Sequence, residues 1–285
     1  MFIANSTVTV VAGLLGTLLL CINVSGLLIG SRPKNLIDDP ELLFPDDVSI
    51  GYEIATEQLE AAATQDILDS EKVHVAIKTI SSAVGHSWAF EKRFDYNLTI
   101  PIYENYLLWG LNVVSPIVSR FSNLPLDDYY QRYEFNNWRR ALERGVGLCS
   151  QHAIILDGYL KFAGLESKIL RLDGHVVNYV KVDGNWWIAD SDYGVAIPYE
   201  LGTIESDLSL VRQFYSPIIK DELYLRTLEN AYREQGNSMV ESAAEYHGLK
   251  YVFIEEGSYF LKWLLPVIFL ICSFFSYLLS KRTPV

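Results

Sequence analysis

Residues 145–190, GVGLCSQHAIILDGYLKFAGLESKILRLDGHVVNYVKVDGNWWIAD, contain a change of period. In the first half, Cys149, Ala153, Leu156, Leu160 and Ala163 recur at helical steps along one face, and Gly164 is placed to end the helix. In the second half the period becomes two. Ser167 to Leu172 reads as a strand, Asp173-Gly174 as a turn and His175 to Val182 as a second strand. Asp183-Gly184 then reads as a two-residue hairpin turn leading to a strand over Asn185 to Asp190. Such a turn fixes the register, setting Val182 opposite Asn185, Val177 opposite Asp190 and His175 opposite Asp192. Side chains alternate along a strand, so His175, Val177, Ile188, Asp190 and Asp192 share one face.

Working outward, Asp127 to Arg144 begins with two acids, ends in basic residues and stops at Gly145, matching the helix macrodipole. Ile54 to Ala63 and Asp69 to Val84 have helical spacing, the second with Val73, Ile77 and Ile80 on one stripe. Asn97 to Trp109 reads as a loop leading into a helix, and Asn97-Leu98-Thr99 matches a glycosylation sequon that matters only in a secretory host. Downstream, Leu201 to about Glu245 is helical in pattern and Leu249 to Ile254 reads as a strand.

Both ends are apolar. Met1 to Ser31 carries no charged side chain, and Phe2 to Ile29 is long enough to cross a bilayer core of ~30 Å. It lacks a basic leader region, so a retained anchor is expected rather than a cleaved signal peptide. Trp263 to Leu279 is likewise uncharged, preceded by Tyr259 and Phe260 and closed by Lys281 and Arg282. Residues 1–30 and 259–280 are therefore expected to span the membrane, with a Pro- and Asp-rich linker at 31–50, a domain at 51–258 and a tail at 281–285. All 35 acidic residues of this chain of net charge −12 lie between the two spans, which argues against nucleic acid and anionic lipid surfaces as main partners. The bilayer itself is the expected partner of the two spans, and protein partners are unspecified.

Cys21 and Cys272 fall inside the spans, so Cys149 is the only cysteine between them and no disulfide can form within the domain. A thiolate is the nucleophile, and a helix N-terminus favours negative charge. A cysteine nucleophile needs a base to take its proton and a partner to orient that base. Cys149, His175 and Asp190 can fill those roles in order, with Asp192 as an alternative acid. The Cys149 backbone N–H and the Trp138 indole are candidate donors to an oxyanion. His152, on the cysteine's helix, offers a second base or a metal ligand beside Cys149 and His175, but no second cysteine pair supports a zinc site. Glu104 and Asn105 can line a groove, although a solvated turn is the expected role, and Arg139, Arg140 and Arg144 can meet an acidic substrate, although basic residues ending a helix need no ligand to explain them. His74, His86 and His247 have no constellation around them. The bland alternative for Cys149 is a buried core thiol.

Four segments resemble the transglutaminase-like branch of the papain-like cysteine enzymes: Arg144-Gly145-Val146-Gly147-Leu148-Cys149-Ser150-Gln151, Gly164-Leu165-Glu166, His175-Val176-Val177-Asn178-Tyr179-Val180 and Asp183-Gly184-Asn185-Trp186-Trp187-Ile188-Ala189-Asp190. The resemblance is close over Leu142 to Gly194 and loose upstream from Asp69. It implies an α+β fold in which the cysteine-bearing helix packs on an antiparallel sheet, with Cys149 as nucleophile, His175 as base and Asp190 as orienting acid. The aromatic often found two residues after the histidine is Val177 here, and the proline often found after the aspartate is Ser191; both departures bear on specificity.

The expected protein is a membrane-anchored cysteine enzyme acting by acyl transfer or hydrolysis at an amide or ester, on peptide, cell-wall or surface-polymer substrates outside the cytoplasm. No cofactor or metal is expected, and no loop has calcium-ligand spacing. The alternative is an inactive domain of the same type that binds peptide or glycan within a membrane assembly.

Overall fold

A computed structural model of the protein describes residues 2–33, 36–37, 48–86, 98–122, 126–233 and 236–282. Asn97 of the sequon and most of the expected linker lie outside the described residues. In chain order the helices are α1 (Phe2–Ile29), α2 (Tyr52–Thr64), α3 (Asp69–Ala83), α4 (Tyr106–Ser122), α5 (Leu126–Gln131) and α6 (Trp138–Arg144). They continue with α7 (Cys149–Phe162), α8 (Leu201–Ser206), α9 (Ser209–Tyr215), α10 (Glu222–Ala231), α11 (Ala243–His247) and α12 (Leu249–Arg282). The strands are β1 (Gly85–His86), β2 (Val146–Gly147), β3 (Ser167–Arg171), β4 (Val176–Val182), β5 (Asn185–Asp190), β6 (Val195–Ile197) and β7 (Ser238–Val240). Two compact units form, one from Met1–Ser31, Leu98–Tyr133 and Val252–Val285, the other from Arg32–Asn97 and Glu134–Tyr251.

Thr7–Ile29 of α1 and Leu249–Ser280 of α12, which supply most of the first unit's helix, are long and apolar enough to cross a membrane. They run antiparallel: Ser273 Oγ donates to the Thr9 carbonyl at 2.7 Å, and Asn23 Nδ2 to that of Lys262 at 2.5 Å. A Cβ on Gly16 would lie 2.9 Å from the Pro266 carbonyl, so a small residue is what lets the two backbones approach.

The second unit is α+β. Its larger sheet has five strands in the order β6-β5-β4-β3-β7, every neighbouring pair antiparallel. Asp183 and Gly184 both have positive φ, 50° and 86°, which is the type I′ hairpin that the Asp-Gly pair favours. Val182 pairs with Asn185 as the sequence predicts. One face of the sheet meets α7, where Ala153 and Ile154 pack with Ile169 and Val240. The other face packs Val177, Ile188 and Ile197 against residues of α8, α9 and α10 such as Ile204, Val211 and Leu225.

Helix α7 is buried on nearly every side rather than along one stripe, because α3, α6 and the sheet all pack against it. Leu156 and Leu160 are fully buried, and truncating either to alanine is worth about 2–5 kcal/mol. Gly158 admits the Trp138 ring, since a Cβ there would lie 2.4 Å from Trp138 Cδ1. The helix ends in a Schellman motif: Leu165 N–H donates to the Leu160 carbonyl and Gly164, at φ +82°, to that of Lys161.

Three expected elements differ. The helix read over Asp127 to Arg144 is broken into α5 and α6, because both backbone groups of Phe135 bond the buried Gln151 amide and Asn137 starts a new helix by accepting from the Arg139 and Arg140 amides. The region Leu201 to Glu245 is three short helices, then β7, which adds an edge strand to β3, and the start of α11. Leu249 to Ile254 is no strand but the first turns of α12, where the backbone bonds within its own segment.

Candidate active site

Cys149 is the first residue of the central helix of the second unit. The chain reaches it through β2, which pairs in parallel with β1, Gly85 beside Val146 and His86 beside Gly147. No side chain fits at Gly147, where a Cβ would lie 2.5 Å from that of Gln151. Leu148 is the N-cap and supplies no capping side chain, so no side chain at that position competes for the first-turn amides. The Cys149 thiol is half-buried.

His175 precedes β4 and is buried, its Nε2 2.8 Å from Asp190 Oδ2 and its ring edge-on to Tyr193. Burial works against its charge, yet the Asp190 carboxylate and then Cys149 raise its pKa well above the ordinary histidine value. With Nε2 on Asp190, Nδ1 is the nitrogen left for the thiol.

Asp190 ends β5 and has both oxygens engaged. Oδ1 accepts from the backbone amides of Asp192 (2.9 Å) and Tyr193 (3.3 Å), and Oδ2 accepts from His175 and, at 2.6 Å, from the Tyr215 hydroxyl. Since the Tyr215 proton goes to Asp190, the Tyr232 hydroxyl 2.8 Å away donates to Tyr215. Burial and the nearby carboxylate both push the pKa of Tyr215 up, so it remains a donor.

Asp192 is not opposite His175. Asp190 pairs with Val195 across β5 and β6, which makes 191–194 a tight turn and ends the β4 pairing at Asn178 and Ala189. The turn hands Asp192 to two other histidines: His86 Nδ1 at 2.5 Å and His152 Nε2 at 3.6 Å. Burial alone would raise the Asp192 pKa, but His86 and then His152 hold it below the usual carboxylate range. Burial lowers the pKa of His152, with Asp192 pulling the other way. His152 Nδ1 lies 3.3 Å from the Ser191 carbonyl, tying α7 to the turn.

Donor atoms of His175, Asp190 and Asp192 lie within 4.8 Å of one another, close enough for one cation. Such an ion would compete with the Tyr215 hydroxyl on one carboxylate and with His86 on the other.

The remaining expected residues go elsewhere. Trp138 packs over Gly158, Tyr159 and Phe162, and nine residues of helix put Gly158 about 13 Å along α7 from Cys149, so the structure does not bring the indole to the thiol. Arg144 is buried and holds the Val146 carbonyl and Gln151, while Arg139 stacks on Trp138 and pairs with Glu60. Asn105 caps α4 through the Leu107 and Leu108 amides, and Glu104 accepts from Tyr259. His74 lies 2.7 Å from the Ser70 carbonyl, and His247 lies beside Asn136 and Glu134. Tyr215, Tyr232 and His86 were not legible as site residues, because each arrives from a distant element with no local spacing to mark it.

No protein family, curated protein or solved structure matches this chain.

Proposed function

We propose that the second unit is a transglutaminase-like cysteine enzyme domain with a papain-like core, carried on two membrane-spanning helices, that transfers or hydrolyses an acyl group at an amide or ester. The observation that carries this reading is the buried His175–Asp190 pair at 2.8 Å, with Cys149, which helps to raise the His175 pKa, as the first residue of α7. His175 takes the thiol proton and is held as an imidazolium by Asp190. The thiolate attacks the carbonyl carbon, the oxyanion accepts from the Cys149 N–H, and the imidazolium protonates the leaving amine or alcohol. Water or an amine then resolves the thioester by the reverse proton path. No step needs a metal or cofactor. Peptide, cell-wall or surface-polymer substrates outside the cytoplasm fit an anchored domain of this chemistry, and a reporter fused after Val285 that reads extracytoplasmic would overturn the sidedness.

The full chain incubated with 4-nitrophenyl acetate should accumulate an acetyl group on Cys149, seen by mass spectrometry of its peptide and lost in His175→Ala. The placement of Trp138 away from the thiol favours the second reading, an inactive domain that binds peptide or glycan. Absence of Cys149 acetylation in a folded chain would leave that reading in place.

A further inference from the structure

Helix α4 belongs to the same compact unit as α1 and α12 and is built inside out for water. Trp109, Val113, Val114, Ile117, Val118 and Phe121 are exposed, Ile117 at 59% and Phe121 at 84%, and they form one broad arc of the helix. The inward side carries Leu108 and polar groups: Ser115 is 3% exposed and the Asn112 amide oxygen is buried. A helix in water puts its polar side outward, and α4 does the opposite. From Tyr106 to Ser119 it holds no charge, and its internal Pro116 suits a lipid-contacting helix better than an exposed one in water.

We propose that α4 is a third membrane-embedded element whose apolar arc contacts the acyl chains of one leaflet. Its start is fixed to α12 at the residues where that helix becomes uncharged: Asn105 Nδ2 donates to Ser258, and the Tyr106 hydroxyl to the Lys262 carbonyl. Helix α5 packs back on α4, and Tyr133 after it donates to Glu255, again on α12 just before the apolar run. The segment thus enters and returns at one level of α12. Seventeen residues give about 25 Å, short of the ~30 Å core. A helix that is too short, starts and ends at one boundary and is apolar outward lies in one leaflet rather than crossing both. The inference goes beyond the proposed catalysis and rests only on the membrane reading of α1 and α12.

The test uses the full chain with its three cysteines replaced by serine, reconstituted in phosphatidylcholine–phosphatidylglycerol vesicles, with single nitroxides at Ile117→Cys and Phe121→Cys. Labels at Leu14→Cys and Phe274→Cys report the two long helices, and one at Arg226→Cys, on the exposed side of α10, is the aqueous reference. The oxygen-to-nickel-chelate collision ratio at Ile117 and Phe121 should match that at Leu14 and Phe274 and exceed the reference several-fold. A ratio equal to the reference, with Leu14 and Phe274 high, would overturn the placement of α4 while leaving the two spans intact. Low collision with both reagents would overturn it in favour of a protein cover. If Leu14 and Phe274 also read as aqueous, the membrane reading falls with it.

Discussion

The end of β5 and the turn that follows hold two buried aspartates two residues apart, and they are used in opposite ways. Asp190 is the last paired residue of a strand, so its side chain has a fixed direction, and four donors, His175 among them, saturate it. Asp192 lies where the chain has already turned, and its partners are His86 and His152 rather than the histidine opposite in a continued register. A carboxylate's task here is set by where strand pairing stops. In this account Asp190 orients the base, and Asp192 clamps β1, α7 and the turn together.

The sharpest way to break this distinction is to remove each charge in turn. Asp190→Asn should lower 4-nitrophenyl acetate turnover by roughly 10²–10⁴-fold, the range for losing an oriented general base, whereas Asp192→Asn in folded protein should retain turnover within about tenfold of the parent on the same scale. Equal losses would merge the two carboxylates into one function. Stability separates them less: Asp190→Asn strands the buried His175 imidazolium and should cost about 3 kcal/mol in urea unfolding followed by circular dichroism, and Asp192→Asn, which weakens the acceptor shared by His86 and His152, about 2 kcal/mol.

The pH dependence of unfolding sharpens the same division. His152 has a depressed folded pKa, so its site is fully stable above about 6.5 and loses stability as pH falls below that value; His152→Gln should flatten the acid side of the urea midpoint curve. His175 has a raised folded pKa, so its contribution is complete below about 6.5 and is lost as pH rises through the folded value; His175→Gln should flatten the alkaline side. Asp192, depressed, contributes above about 3.9 and loses that contribution as pH falls through its folded value. The smallest effect is expected from Tyr215→Phe, which removes one donor from Asp190 and should cost about 1.5 kcal/mol. Titration of the His175 ring by NMR should move upward in that variant, since a less solvated Asp190 charge holds the imidazolium more strongly.

Much of the second unit was legible because its signals are local. The Asp183-Gly184 turn fixed five strand pairs, and Gly164 fixed the end of α7. What failed was set by tertiary partners. Nothing near Phe135 announces that the Gln151 side chain will take both its backbone groups, nor do Ser238 to Val240 reveal that β3 offers them an edge. The choice between Asp190 and Asp192 turned on a four-residue reversal with weak sequence markers. Helix α4 is apolar enough to be seen, but which side faces outward depends on α1 and α12.

The central claim is most directly tested by the rate of iodoacetamide alkylation of Cys149 against pH, in the full chain with Cys21→Ser and Cys272→Ser so that one thiol remains, beside the same chain carrying His175→Ala. An ion-paired nucleophile predicts a rate that plateaus below neutral pH and collapses in the variant. A rate that is negligible, or that rises only near the free-thiol value of ~8.5 and ignores His175, would contradict it.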